Sequence, residues 1–116
     1  MMKGGQHEFF DKWESAINNK DIDAMSGLMH PEWTMVMHST GKVVDLNDYK
    51  ETIGKVVVSE KLIRSDVRCI YENDDIMVSH AIVTSPNGLT DALMYVGILK
   101  DGKLFWTETG STPLSK

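Results

Sequence analysis

The chain has a single cysteine, Cys69, among 116 residues. No disulfide can close within it, and no Cys/His spacing resembles a zinc site. Stretches rich in proline and glycine, repeats and low-complexity runs are missing, so nothing marks a linker, and one domain over 1–116 is expected. Basic residues are fewer than acidic ones, 12 against 17, for a net charge of −5. They are scattered, with no basic run, which argues against a nucleic acid partner and against docking on an anionic membrane. No apolar stretch approaches the roughly 20 residues that cross a bilayer. The start, MMKGGQHEFF, lacks the long apolar segment of a secretory signal, so a cytoplasmic protein is expected. No GxSxG, phosphate-binding loop or dinucleotide fingerprint occurs, and neither a cofactor nor a metal is implied.

What is present suffices for one core: 41% of residues are hydrophobic, and eight methionines suit an adaptable apolar pocket or interface. Phe9, Phe10, Trp13 and Ile17 recur at helical spacing with charges between them. Asp21 can cap a second helix bearing Ile22, Met25, Leu28 and Met29, which His30-Pro31 stops. A short strand, WTMVMHS, follows. Asp45 or Asn47 can cap a third helix carrying Leu46, Tyr49 and Ile53. The second half reads as strands near 62–72, 75–84, 89–100 and 103–110, separated by Asn73-Asp74, Pro86-Asn87-Gly88 and Asp101-Gly102. Helices followed by an antiparallel meander predict an α+β fold with a curved sheet.

Two-residue turns at these points set the register. They place Leu99 opposite Leu104, Gly97 opposite Trp106 and Tyr95 opposite Glu108. They also pair His80 with Leu93, Val78 with Tyr95, and Val67 with His80. One face then gathers Val78, His80, Tyr95, Leu104, Trp106 and Glu108, and is expected to be the core face. The other is polar on its first strand, with Arg64, Asp66 and Arg68 reading as solvated or rim charges. It is apolar in the middle, at Ala81, Ala92, Met94 and Val96. A one-sided sheet should be polar there, and such a patch marks an interface. A homodimer packed sheet against sheet is expected; a monomer whose tail, TPLSK, covers the patch is the alternative.

Three segments resemble the NTF2-like superfamily, the SnoaL-like and ketosteroid-isomerase-like domains. They are FFDKWESAINNKDIDAMSGLMHPEW, MVMHSTGKVV and LKDGKLFWTE, and the order of elements carries the match. The resemblance implies a cone-shaped roll in which three helices cap the sheet, usually as a dimer. Members include isomerases, cyclases, hydrolases, dehydratases and non-enzymatic binding domains, so the fold does not settle function. Carried over by residue, the isomerase pattern fails. Trp13 stands where that family has its oxyanion-donating tyrosine, and Met37 lies near its general-base aspartate. Tyr95 is near its second acid. Glu108 corresponds to the late acidic residue of SnoaL-like cyclases.

The candidate catalytic pair is therefore His80 and Glu108, with Trp13, Met37, Tyr95 and Trp106 lining a pocket. Histidine shuttles protons near neutral pH, and a buried carboxylate has a raised pKa suited to acid–base work. The plain alternatives are a buried neutral histidine and a wet strand end at which Glu108 bonds Tyr95. His38 lies on either side of its short strand. Three functions remain open: acid–base catalysis on a small apolar or aromatic compound, binding of such a ligand without turnover, and protein association through the second face.

Overall fold

The computed structural model describes residues 7–37 and 40–114. Helix α1 (Glu8–Asn18) forms as its periodicity predicts and buries Phe9, Trp13, Ala16 and Ile17. His7 at its N-cap position provides no side-chain cap. Glu72 takes over that task from a distant strand, accepting the Phe9 and Phe10 N–H groups at 2.9 Å each. Helix α2 (Ile22–Gly27) starts where Asp21 accepts the Ala24 N–H at 3.0 Å.

Strand β1 (Met29–Val36) begins earlier than expected and runs through Pro31. A register shift between Met29 and Thr34 accommodates the missing N–H of the proline. A short β2 (Val43–Asp45), not foreseen from the sequence, pairs antiparallel with β1. Asp45 then caps α3 (Leu46–Glu51) in a reciprocal box with Asp48. The expected third helix breaks at Thr52 and resumes as α4 (Ile53–Val57). A Cβ at Gly54 would lie 2.7 Å from Ile22 Cδ1, so the glycine lets α4 approach α2.

The four later strands form close to their expected limits: β3 (Ile63–Glu72), β4 (Ile76–Thr84), β5 (Thr90–Lys100) and β6 (Lys103–Pro113). The sheet order is β2-β1-β6-β5-β4-β3, and β1 runs parallel to β6 while the other pairs are antiparallel. The buried core is centred on Trp33, Met25, Met77 and Leu104. Among the described residues no helix is long and apolar enough to cross a membrane.

The register departs from the two-residue-turn expectation in each hairpin. Asp101 and Gly102 both have positive φ and make the tight turn, so Leu99 does face Leu104. Beyond that pair a bulge leaves Phe105 without a partner, and Ile98 faces Trp106. One extra residue turns the rest of the strand over. Gly97 thus faces Thr107, and Tyr95 faces Thr109. Between β4 and β5 the loop spans 85–89, closed by Ser85 N–H to the Leu89 carbonyl at 2.9 Å. It pairs Ser79 with Tyr95 and His80 with Met94, one step from the expected register. In the third hairpin Asn73 Oδ1 accepts from Asp75 and Ile76 N–H, and Glu72 pairs with Met77. Val67 has no partner: the pairing jumps from Ser65–Ile82 to Arg68–His80.

Candidate functional site

A cavity of about 170 Å³ lies between the helices and the inner face of β3, β4 and β5. Helix α1 contributes Trp13, Glu14 and Ile17, α3 contributes Tyr49, and α4 adds Ile53, Val56 and Val57. The sheet contributes Arg64, Ser79, Ala81, Val83, Leu93 and Tyr95, and Leu62 lies just before β3. Alternation puts Ser79, Ala81 and Val83 on one side of β4 and matches them to Leu93 and Tyr95 across the ladder.

The polar groups in this apolar setting are few, and most are engaged. Arg64 grips Glu14 through both terminal nitrogens, at 2.7 and 2.9 Å, with side chains 17% and 13% exposed. Such a two-point pair is geometrically specific, and it leaves that edge of the cavity without net charge. The Tyr95 hydroxyl lies 3.2 Å from Thr107 Oγ1, and the Trp33 Nε1–H donates to the same Thr107 oxygen at 2.9 Å. Burial pushes the Tyr95 phenol well above its ordinary value, against the lowering effects of its bond to Thr107 and of the Arg64 charge. The Tyr49 phenol is raised as well, first by burial and then by the nearby Tyr95 hydroxyl. At neutral pH both are protonated and can donate hydrogen bonds.

Of the residues expected at a site, Trp13 and Tyr95 are brought together here, with ring centroids 6.4 Å apart. Met37 packs against the core but is not in the lining. His80, Trp106 and Glu108 stand on the opposite face of the sheet, a correction to the expected inner face. The cause is the Phe105 bulge for Trp106 and Glu108, and the longer β4–β5 loop for His80. On that outer face Trp106 Nε1 donates to Glu108 Oε2 at 2.8 Å, and His80 sits between Arg68 and Met94. His38 lies outside the described residues. Arg64, expected as a solvated or rim charge, and Tyr49, expected only as helix packing, line the cavity instead. The sequence carries no signal for the Arg64–Glu14 pair, whose members are 50 positions apart.

A second hollow, about 230 Å³, opens beside the start of α1 and includes Glu8, Lys12, Glu72 and Asp74. One of its carboxylates, Glu72, is occupied in capping α1.

No protein-family model and no curated protein matches the chain. Solved structures do. An NTF2-like protein of unknown function from Mesorhizobium loti superposes with a TM-score of 0.74 at 10% identity, over 93% of this chain and 89% of that one. A candidate ketosteroid isomerase of Kribbella flavida gives 0.72 at 10% identity, over 95% and 79%. SalBIII, an epoxide hydrolase/cyclase-like enzyme of pyran ring formation in the polyether salinomycin, gives 0.73 at 13% identity, over 90% and 88%. The chain therefore has the NTF2-like fold, as the resemblance of its helical and hairpin segments implied. At these identities the likeness defines the fold and not the activity.

Proposed function

We propose that the protein binds a small, uncharged, largely apolar molecule, of the size of one substituted aromatic ring, in the cavity beneath α1 and α4. The observation that carries this reading is the cavity itself: about 170 Å³, lined mainly by aliphatic and aromatic side chains. An apolar cavity of about 150 Å³ is enough to take up benzene. Among the described residues the one charged pair in the lining is mutually neutralised, so an ionic ligand would lack a counter-charge and its desolvation would not be offset. Cyclase- and isomerase-like proteins share the fold, which is compatible with an enclosed organic ligand.

Proton abstraction would run through Glu14, the one carboxylate in the lining among the described residues, and Arg64 holds it. Binding is therefore the first reading and acid–base catalysis the second. The test is a titration of the protein with ethylbenzene and acetophenone, followed by Trp fluorescence and by NMR. Both should bind, and Ala81→Phe, which fills the cavity from the sheet side, should weaken binding at least tenfold with the fold retained. Unchanged binding in that variant would refute the assignment. Deuterium washed into the acetophenone methyl group by the native protein, but not by Glu14→Gln, would favour the enzymatic reading.

The proposed macromolecular partner is a second copy of the chain on the outer sheet face. Ile76, Val78, Ile82, Met94, Val96 and Ile98 form a continuous apolar band there, with His80 within it and Arg68 and Glu108 beside it. The band follows two adjacent strands, β4 and β5, and with a spacing of ~4.8 Å and about four rows of outward residues its area is on the order of 260 Å². A stable interface buries about 800 Å² per partner, so the outward residues of the flanking β3 and β6 would complete the contact.

A further inference from the structure

We infer that the buried Trp33–Thr107 pair holds Tyr95 as a hydrogen-bond donor toward the cavity, so that the ligand is recognised through an acceptor oxygen, such as that of a ketone, aldehyde or ether. This inference rests on the pocket reading and deepens it by naming the ligand's polar group.

The Tyr95–Thr107 contact alone does not say which hydroxyl donates, since either oxygen can serve at 3.2 Å. Trp33 decides it. An indole N–H donates and cannot accept, so its 2.9 Å bond makes Thr107 Oγ1 an acceptor. Thr107 and Trp33 are 0% and 1% exposed, and a hydroxyl hydrogen in such a place needs an acceptor of its own. Among the described residues, the acceptor within reach is the Tyr95 oxygen. Thr107 therefore accepts from Trp33 and donates to Tyr95. If Tyr95 donated instead, Thr107 would receive two hydrogens and its own would be left without a partner in the core.

With its oxygen accepting from Thr107, Tyr95 turns its own hydrogen away from Thr107. Tyr95 is a wall of the cavity, whereas Thr107 is not. Trp33 comes from β1, Thr107 from β6 and Tyr95 from β5, so three paired strands fix the arrangement. Thr107 is thus a positioning residue, and Tyr95 the group that meets the ligand.

The experiment compares three neutral probes of similar size: ethylbenzene with no polar group, acetophenone with an acceptor only, and indole with a donor only. Acetophenone should bind about tenfold more tightly than ethylbenzene, the gain of one net hydrogen bond, and indole should show no such gain. The ketone carbonyl stretch should move to lower frequency on binding. Tyr95→Phe should abolish both the tenfold advantage and the frequency shift while ethylbenzene still binds. Thr107→Val should diminish the shift, and Thr107→Ser should restore it. Preference for indole, or equal affinity for all three probes, would overturn the inference and leave the pocket reading intact. Failure of all three to bind would overturn both. If Thr107→Val does not fold, the probe ranking and Tyr95→Phe decide the matter by themselves.

Discussion

Tyr49 and Tyr95 show how position differentiates one side-chain type. Tyr49 packs edge-on against Trp33, with centroids 5.2 Å apart, while Tyr95 is tied to Thr107. Burial raises both phenols above the ordinary 10.0. In the unfolded chain they ionise near that value, so at higher pH the unfolded state has lost protons that the native state still holds. Stability contributed by these groups is thus complete below about pH 10 and falls as pH rises beyond it, by ~1.4 kcal/mol per pH unit for each. Urea midpoints measured at about pH 8 and about pH 11 should show the fall, and Tyr49→Phe should make it shallower. The part of the tyrosinate absorption that Tyr49→Phe removes should appear together with unfolding and not ahead of it.

Among the elements, α1 depends on a group from outside itself. Because His7 offers no cap, the Glu72 carboxylate on β3 satisfies the first N–H groups of the helix. Glu72→Ala should cost about 1–2 kcal/mol in urea unfolding, in the range of a lost helix cap, and amide exchange should accelerate first at Phe9 and Phe10. Most elements were legible: period-3.6 spacing marked α1, Asp21 marked one cap and Asp45, one of two candidates with Asn47, another, and Asp101-Gly102 marked the closing turn, whereas β2 and the break at Thr52 were not. Trp13 and Tyr95 were readable as walls of a pocket. The sheet faces were not, and the reason is physical. Alternation tells which residues share a side, but not where an extra residue reverses it. On β4 both sides are apolar, Met77 and Ala81 against Ile76, Val78 and Ile82, so the wrong register carried no warning. Arg64 sits in a charged stretch that resembles a solvated edge, and its partner Glu14 lies on a different element.

At the scale of the molecule, the sheet has helices on one face, and on the other an apolar band with nothing over it among the described residues. Met94 is 40% exposed at the centre of that band. If a second copy covers it, light scattering coupled to size exclusion should report twice the 13.0 kDa chain mass. Met94→Glu should then yield monomers, because two carboxylates would be desolvated across a symmetric interface. A native protein that is monomeric at micromolar concentration would refute the sheet-to-sheet partner. The Phe105 bulge gives the two faces a relation of their own. Inserting one residue between Phe105 and Trp106, with the bulge kept, would roll the far half of β6 by half a turn. Threonine would exchange places with tryptophan and glutamate, and the face under the helices would acquire an indole and an acid in a single step. A change in chain length, with no point substitution in the lining, is thus enough to re-equip this scaffold for different chemistry.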